Sequence, residues 1–346
     1  MTALLEEIAQ QPAALSGLRK FYTSPGAIPA PALRALVKGW PPTVVFTGMG
    51  SSMYAAYPAQ AYLSSQGIHG LIWETGELVD HHSKVLGPET LVVAVSQSGE
   101  TPEVLRLLEA TAGKQDLVAV CNTEASQLAR RARLLLPMMA GRPAPVGTKT
   151  YTCSVAVLMY LAVAIARRAP NTLTQALMHA IEAQEKILDR PDEIVASSLE
   201  FFDDPHYVAL LSRGADLATA YQGALLFKEV VKIGAEPMSA AQFRHGPMEI
   251  INPAHRYLIF ARQSETRGKS KAGGDLFKLA QDIRRHGGRV LLYADRPFAD
   301  LTNIRQVPVE PIRMGLGTLL DSVHIQLLAH DLALRAGLEP GRFRFA

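Results

Sequence analysis

The stretch LVVAVSQSGETPEVLRLLE, residues 91–109, decides how the chain folds. Leu91–Ser96 is an apolar run of strand length, rich in valine, as expected of a strand buried on both faces. After the turn Gln97–Glu100, Thr101 suits a helix N-cap and Pro102 suits the first helical position. Val104, Leu107 and Leu108 then recur at helical spacing and form one apolar stripe. The segment reads as a strand that delivers its loop onto the start of a helix.

The same alternation spreads in both directions. Val44–Thr47, Leu117–Cys121 and Leu134–Pro137 are further apolar runs, and Tyr207–Ser212, Arg256–Ala261, Arg289–Ala294 and the short Gln306–Val309 repeat the habit later. Helical patterns such as Asp275–His286 separate them, so a mainly parallel sheet is expected, with Pro308 demoting the last run to an edge strand or to no strand at all. VVFTGMGSSMYAAYPAQAYL from Val44 and VALLSRGADLATAYQGALLF from Val208 align without a gap. In that register Gly50 meets Gly214, Ala56 meets Ala220 and Tyr57 meets Tyr221. An internal duplication accounts for this economically. A chain of 346 residues exceeds one ordinary core, which fits two α/β domains. They are placed at 1–169, an N-terminal helix plus the first domain, and at 170–346, linker helices plus the second domain and a tail. Tyr151–Arg168, Thr172–Leu188, Asp192–Phe202 and Leu316–Ala336 are expected helices, and GLEPGRFRFA at the end has turn and loop composition.

Composition narrows the partners. Hydrophobic residues make up 48% of the chain and charged residues 19%, which is the balance of a compact globular protein. A net charge of +3 without any dense Lys/Arg run argues against a nucleic-acid arm and favours a small anionic ligand. The acids in the first fifteen residues do not suit a secretory signal, and Val155–Ala166 is too short to span a bilayer. Cys121 and Cys153 sit in apolar stretches with no metal-type spacing, and His81–His82 lack companion ligands, so no metal site is expected. No membrane association and a cytoplasmic location follow as expectations.

The turn after Ser96 carries the chemistry. A helix start exposes unbonded N–H groups and the positive end of the helix dipole. Ser96, Ser98 and Thr101 add hydroxyls, and Gly99 permits close backbone approach. A phosphate would satisfy such donors, whereas an ordinary capped turn would explain only Thr101 and Pro102. A second turn, Gly48–Ser52, offers the donors of Gly50, Ser51 and Ser52. It half-matches a dinucleotide fingerprint, with Glu74 about where a ribose-binding acid would sit, but Met53 replaces the third glycine, and no cofactor is expected. In FKEVVKIGAEPMSAAQFRHGP, Glu229 and His245 are groups able to move protons, with Lys228 beside them. From spacing alone the blander readings prevail: a solvated helix face or ion pair for Glu229, and a loop residue hydrogen-bonded to backbone for His245. The Arg262–Lys271 stretch, RQSETRGKSK, reads as a solvated loop.

Taken together, GMGSS, SQSGET at Ser96–Thr101, VGTKTYT at Val146–Thr152, and the FKE and HGP elements resemble the tandem sugar isomerase (SIS) domain family. Within that family the pattern resembles the isomerase half of glucosamine-6-phosphate synthase and its stand-alone relatives. The resemblance implies two doubly wound, flavodoxin-like parallel sheets and a homodimer with shared sites. It implies that Ser51, Ser52, Ser96, Gln97, Ser98 and Thr101 hold the phosphate of a phosphorylated sugar, with Gly50, Gly147, Thr148 and Lys228 in the pocket. Glu229 becomes the base for proton transfer between C1 and C2, and His245 assists ring opening. Four departures bear on the substrate. The chain has no counterpart of the synthase's amidotransferase domain, so glutamine-independent chemistry is expected. Leu226 and Gln222 replace a lysine and an acid before Glu229, Arg142 replaces a glutamate, and the tail has no lysine after Pro340. An amino-sugar-phosphate isomerase or deaminase is the leading expectation. The alternatives are a deglycase of phosphorylated fructosamines and a non-catalytic phosphosugar sensor.

Overall fold

A computed structural model describes residues 2–36, 39–40, 42–112, 116–142, 144–203, 205–262, 272–297 and 302–345. The chain divides into two compact units. One comprises Gln11–Pro143 with Gly147–Met178, and the other comprises Met1–Gln10, Ala144–Val146 and His179–Ala346.

The first unit contains five strands, β1 (Thr43–Gly48), β2 (Gly70–Glu74), β3 (Thr90–Ser96), β4 (Leu117–Cys121) and β5 (Leu134–Pro137). All pair in parallel in the order β2-β1-β3-β4-β5. The apolar run of β3 is central, and every one of its seven residues is buried. Its helix, Pro102–Thr111, turns Val104, Leu107 and Leu108 onto Val92, Ala94 and Ala119 of the sheet. Burying each of those three side chains is worth about 1.5–3 kcal/mol. The helix Lys149–Ile165 has every residue but Ala164 buried. Among the described residues no helix is long and apolar enough to cross a membrane.

The second unit repeats the plan with β6 (Tyr207–Ser212), β7 (Ala235–Ser239), β8 (His255–Ala261), β9 (Arg289–Ala294) and β10 (Ile304–Pro308). Its parallel order is β10-β9-β8-β6-β7, which from the other edge is the order of the first sheet. Each unit is thus a doubly wound α/β sheet. The gapless alignment acquires a physical basis here. Gly50 (φ +49°) and Gly214 (φ +59°) both bend leftward just after the first strand of their sheet. Ala56 and Ala220 are both fully buried beyond it.

Two strands, β2 and β7, escape the periodicity. Both are edge strands whose residues are mostly half-buried or exposed, so neither shows a continuous apolar run, and β7 contains Pro237. Proline is tolerated at an edge because its missing N–H needs no ladder partner. β10 also lies at an edge, ending at Pro308. Residues 263–271 of the expected loop lie outside the described residues.

Candidate functional site

In the order β2-β1-β3 the chain leaves β1 toward one edge and later returns on its other side, so the loops after β1 and β3 diverge. That is the switch point where doubly wound sheets form a ligand crevice at their carboxyl ends. The turns at 49–52 and 97–101 both emerge there, as the sequence implied. The strand ends beneath them are tightly packed: a Cβ added to Gly48, the last residue of β1, would lie 2.9 Å from Val95 O of β3 and 2.9 Å from Ser52 Cβ. Ser51 and Ser52, both half-buried, begin the short helix Ser51–Tyr54.

The loop after β3 is braced from behind. Ser96 is buried and its Oγ accepts the Gly99 N–H at 3.0 Å, while Ser98 Oγ accepts the Glu100 N–H at 3.3 Å. The Gln97 carbonyl accepts the Thr123 N–H at 3.2 Å. Both oxygens of Glu100 are engaged by Gln127, whose backbone N–H lies at 2.6 Å and side-chain amide at 3.0 Å. Gly99 takes φ +67°, and a Cβ there would fall 2.7 Å from Ser126 Cβ and 3.0 Å from Cys121 Sγ. Only glycine satisfies both the left-handed turn and the close approach.

Two hydroxyls are left over. Thr101 occupies the N-cap position with extended backbone, yet its side chain makes no capping bond. Its Oγ1 is shielded from solvent and has no partner among the described residues. The same holds for Thr148 Oγ1 at the start of the helix Lys149–Ile165. A buried polar atom without a partner costs about 1–3 kcal/mol, a cost that an anionic oxygen would relieve. The expected capping role of Thr101 is therefore not realised, and Ser96 supports the loop from within. Gly147, which precedes Thr148, is half-buried, and a Cβ on it would lie 2.9 Å from Thr150 Oγ1.

In the second unit Glu229 lies on a π turn, Phe227–Val231, that continues the helix Leu217–Leu226. Burial raises its pKa to about 7 against the opposing charge of Lys232. Near neutrality such a carboxyl can both take up and return a proton. Lys228 is exposed. His245 is also exposed, just beyond the helix Ala240–Phe243, with its backbone N–H on the Gln242 carbonyl at 3.0 Å. Gly246 (φ +116°) turns the chain immediately after it, and Arg244 pairs with Asp282 at 2.8 Å.

Other residues depart from their sequence reading. Glu74 is a helix cap and not a ribose ligand, since its carboxylate accepts the N–H groups of Gly76 (3.1 Å) and Glu77 (2.8 Å). Arg262 is no solvated loop residue. It is buried after β8, with Nη2 2.5 Å from Asp321 Oδ1, Nε 3.2 Å from Oδ2 and Nη1 2.5 Å from the Glu310 carbonyl. Its carboxylate partner lies 59 residues away, beyond the reach of any local motif. Among the described residues no cluster of three or more His, Cys, Asp or Glu could hold a metal. Cys153 is a buried thiol pushed up to about 12 by desolvation, against the lowering effect of Lys149.

These features define a duplicated, doubly wound α/β protein with hydroxyl-bearing loops at the switch point of its first sheet. Residues 40–166 match the SIS domain model, in agreement with the resemblance seen in the motifs. Glutamine–fructose-6-phosphate aminotransferase (isomerizing) of Yersinia pseudotuberculosis is 28% identical over 75% of this chain and 43% of its own length. The Pseudomonas putida protein of the same name is 28% identical over 86% of this chain and 49% of its own length. The chain thus spans about half the length of these curated relatives. Among solved structures, the C-terminal domain of glucosamine-fructose-6-phosphate aminotransferase from Francisella tularensis superimposes with a TM-score of 0.87 at 21% identity, covering 97% of each chain. Tagatose-6-phosphate ketose/aldose isomerase from Escherichia coli gives 0.82 at 21% identity, covering 97% of this chain and 94% of that one. Glucosamine-6-phosphate deaminase from Thermotoga maritima gives 0.72 at 20% identity, covering 99% and 97%. These likenesses establish the fold.

Proposed function

We propose that the protein is a cytoplasmic phosphosugar isomerase or deaminase that acts on an amino-sugar phosphate of the glucosamine-6-phosphate type, without glutamine and without a cofactor. The observation that carries the reading is the pair of unsatisfied hydroxyls, Thr101 and Thr148, alongside a braced loop whose helix start favours a dianion. Ser51, Ser52, Ser96, Gln97, Ser98 and Thr101 hold the phosphate through hydroxyl and backbone donors. Gly50, Gly147, Thr148 and Lys228 complete the pocket. The relatives' names, which concern fructose 6-phosphate, tagatose 6-phosphate and glucosamine 6-phosphate, support the substrate class.

Chemistry begins with ring opening, in which His245 takes the proton of the anomeric hydroxyl and returns one to the ring oxygen. Glu229 then removes the proton on C2 of the open aldose and delivers it to C1, with an enediol between, so that aldose and ketose exchange without net change in atoms or electrons. With a 2-amino substituent the product is a ketimine, whose hydrolysis releases ammonia and the keto sugar phosphate. A carboxyl that titrates near pH 7 suits both halves of this transfer. His245, being exposed, is free to serve a second copy of the chain in a homodimer.

Incubation with glucosamine 6-phosphate, with ammonia and fructose 6-phosphate assayed, tests the reading. Folded protein that gives neither product from pH 6 to pH 9 excludes that substrate. The replacements Gln222 and Leu226, both buried on the helix leading to Glu229, favour a second reading in which a phosphorylated fructosamine is split into sugar phosphate and amine. A panel containing fructoselysine 6-phosphate separates the two.

A further inference from the structure

Lys232 takes a left-handed backbone conformation (φ +64°, ψ +33°) directly after the turn of Glu229. That conformation costs a side-chain-bearing residue about 1–2 kcal/mol and persists only where contacts impose it. The contacts are specific. Lys232 Nζ donates to the backbone carbonyl of Glu229 and, at 2.9 Å, to the carbonyl of Arg342, and it lies 5.6 Å from the centre of the Phe343 ring. One ammonium thus joins the Glu229 turn to the tail, through two charge-assisted bonds and a cation–π contact.

Arg342 pairs with Glu339 at 3.2 Å, but both side chains are largely exposed and such a pair adds little. Gly341, at φ +85°, lets the turn settle against Leu4 and Val146, where an added Cβ would lie at 3.6 and 3.7 Å. Residues Glu339–Arg342 form one wall of a cavity of about 350 Å³, opposite Ala3, Leu4 and Ala144–Val146. Arg342, the residue that Lys232 grips, is part of that wall.

We propose that Lys232 is a positioning residue which clamps the carboxy-terminal tail onto the turn carrying Glu229, and thereby holds the wall of a cavity that receives the non-phosphate end of the substrate. The last clause rests on the function proposed above. Lys232 does not itself touch the reacting carbons in this account. It acts by fixing the tail and, as the charged neighbour opposing the burial of Glu229, by moderating that group's protonation.

Amide hydrogen exchange on the full chain tests the clamp without relying on activity. Lys232→Met, which keeps the stem but removes the ammonium, is expected to raise exchange across residues 339–345 about tenfold, while amides of β6, β8 and β9 stay at parental rates. Lys232→Arg keeps a cation of similar reach and is expected to retain most of the protection. In turnover, the Met variant is expected to raise KM about tenfold with kcat altered less than about threefold, the pattern of lost uniform binding. Parental tail exchange in Lys232→Met overturns the clamp. So does equal loss in the Arg and Met variants with the core strands loosened as well, which marks a purely structural residue. A loosened tail with unchanged KM and kcat overturns its link to the cavity. A parent inactive on every phosphosugar sinks the proposed function and leaves the exchange result standing to decide the clamp.

Discussion

β3 and β8 hold the same place in their two sheets, yet the residues that end them do opposite things. The first sheet ends in Ser96 and a glycine-bent loop, with the Thr101 hydroxyl left unsatisfied. The second ends in Arg262, whose guanidinium donates to both oxygens of Asp321 and to the Glu310 carbonyl, and a Cβ on Gly317 would strike its side chain. At the first switch point a buried hydroxyl has no partner among the described residues, whereas at the second a buried arginine is held by the protein's own carboxylate and carbonyl.

The comparison breaks most visibly at that arginine. Asp321→Ala strands a buried guanidinium and is expected to cost about 3–5 kcal/mol, measured by urea unfolding. A loss below about 1 kcal/mol would mean that solvent reaches Arg262. Replacing Glu229 with Gln is expected to lower kcat about 10²–10⁴-fold with the phosphate affinity of the first unit untouched. In the parent, activity on the acid side should rise with an inflection near pH 7, since burial holds the carboxyl near that value. An inflection near pH 4.5 would remove the case for burial.

His324, on the same helix as Asp321, sharpens the contrast by pH. Desolvation, aided by Arg262, lowers its pKa to about 4 from 6.5. The unfolded chain takes up this proton first, so stability is lost as pH falls from 6.5 toward 4, by up to about 3 kcal/mol. Glu229 works with the opposite sign, its raised value favouring the folded form until pH climbs from 4.5 through 7. The readout is thus the difference in unfolding free energy between parent and His324→Leu. A pH-independent difference would place His324 in water. The smallest effect belongs to Thr101→Val, expected to weaken inorganic phosphate binding about 5- to 30-fold with little change in melting temperature, because no capping bond is lost. A large fall in stability there would reinstate Thr101 as a cap.

Much of this was legible in the residues. Runs buried on both faces announce parallel strands, hence β1, β3, β4, β6, β8 and β9, and the Gly50–Gly214 match fixed the repeat from two bends of equal hand. Edge strands such as β2 and β7 bury too little to leave a pattern. Within the site, the identity of the loop was readable but the division of labour was not. That the Ser96 hydroxyl also braces the loop, by accepting the Gly99 N–H, shows only once the loop is folded. Arg262 was misread because its carboxylate partner is distant in sequence. The tail clamp was invisible because nothing in the letter K marks a left-handed residue.

The π turn of Phe227–Val231 has a consequence for engineering. A π turn accommodates one more residue than an α turn over the same length of axis, so it behaves like a single-residue insertion absorbed in place. Excising Val230 would let the ladder revert to ordinary i→i+4 bonding while the residues after the turn kept nearly their present angle around the axis. A one-codon deletion would therefore remove the wider ring that carries Glu229 and leave Lys232 facing its present direction, a change that no substitution within the turn produces.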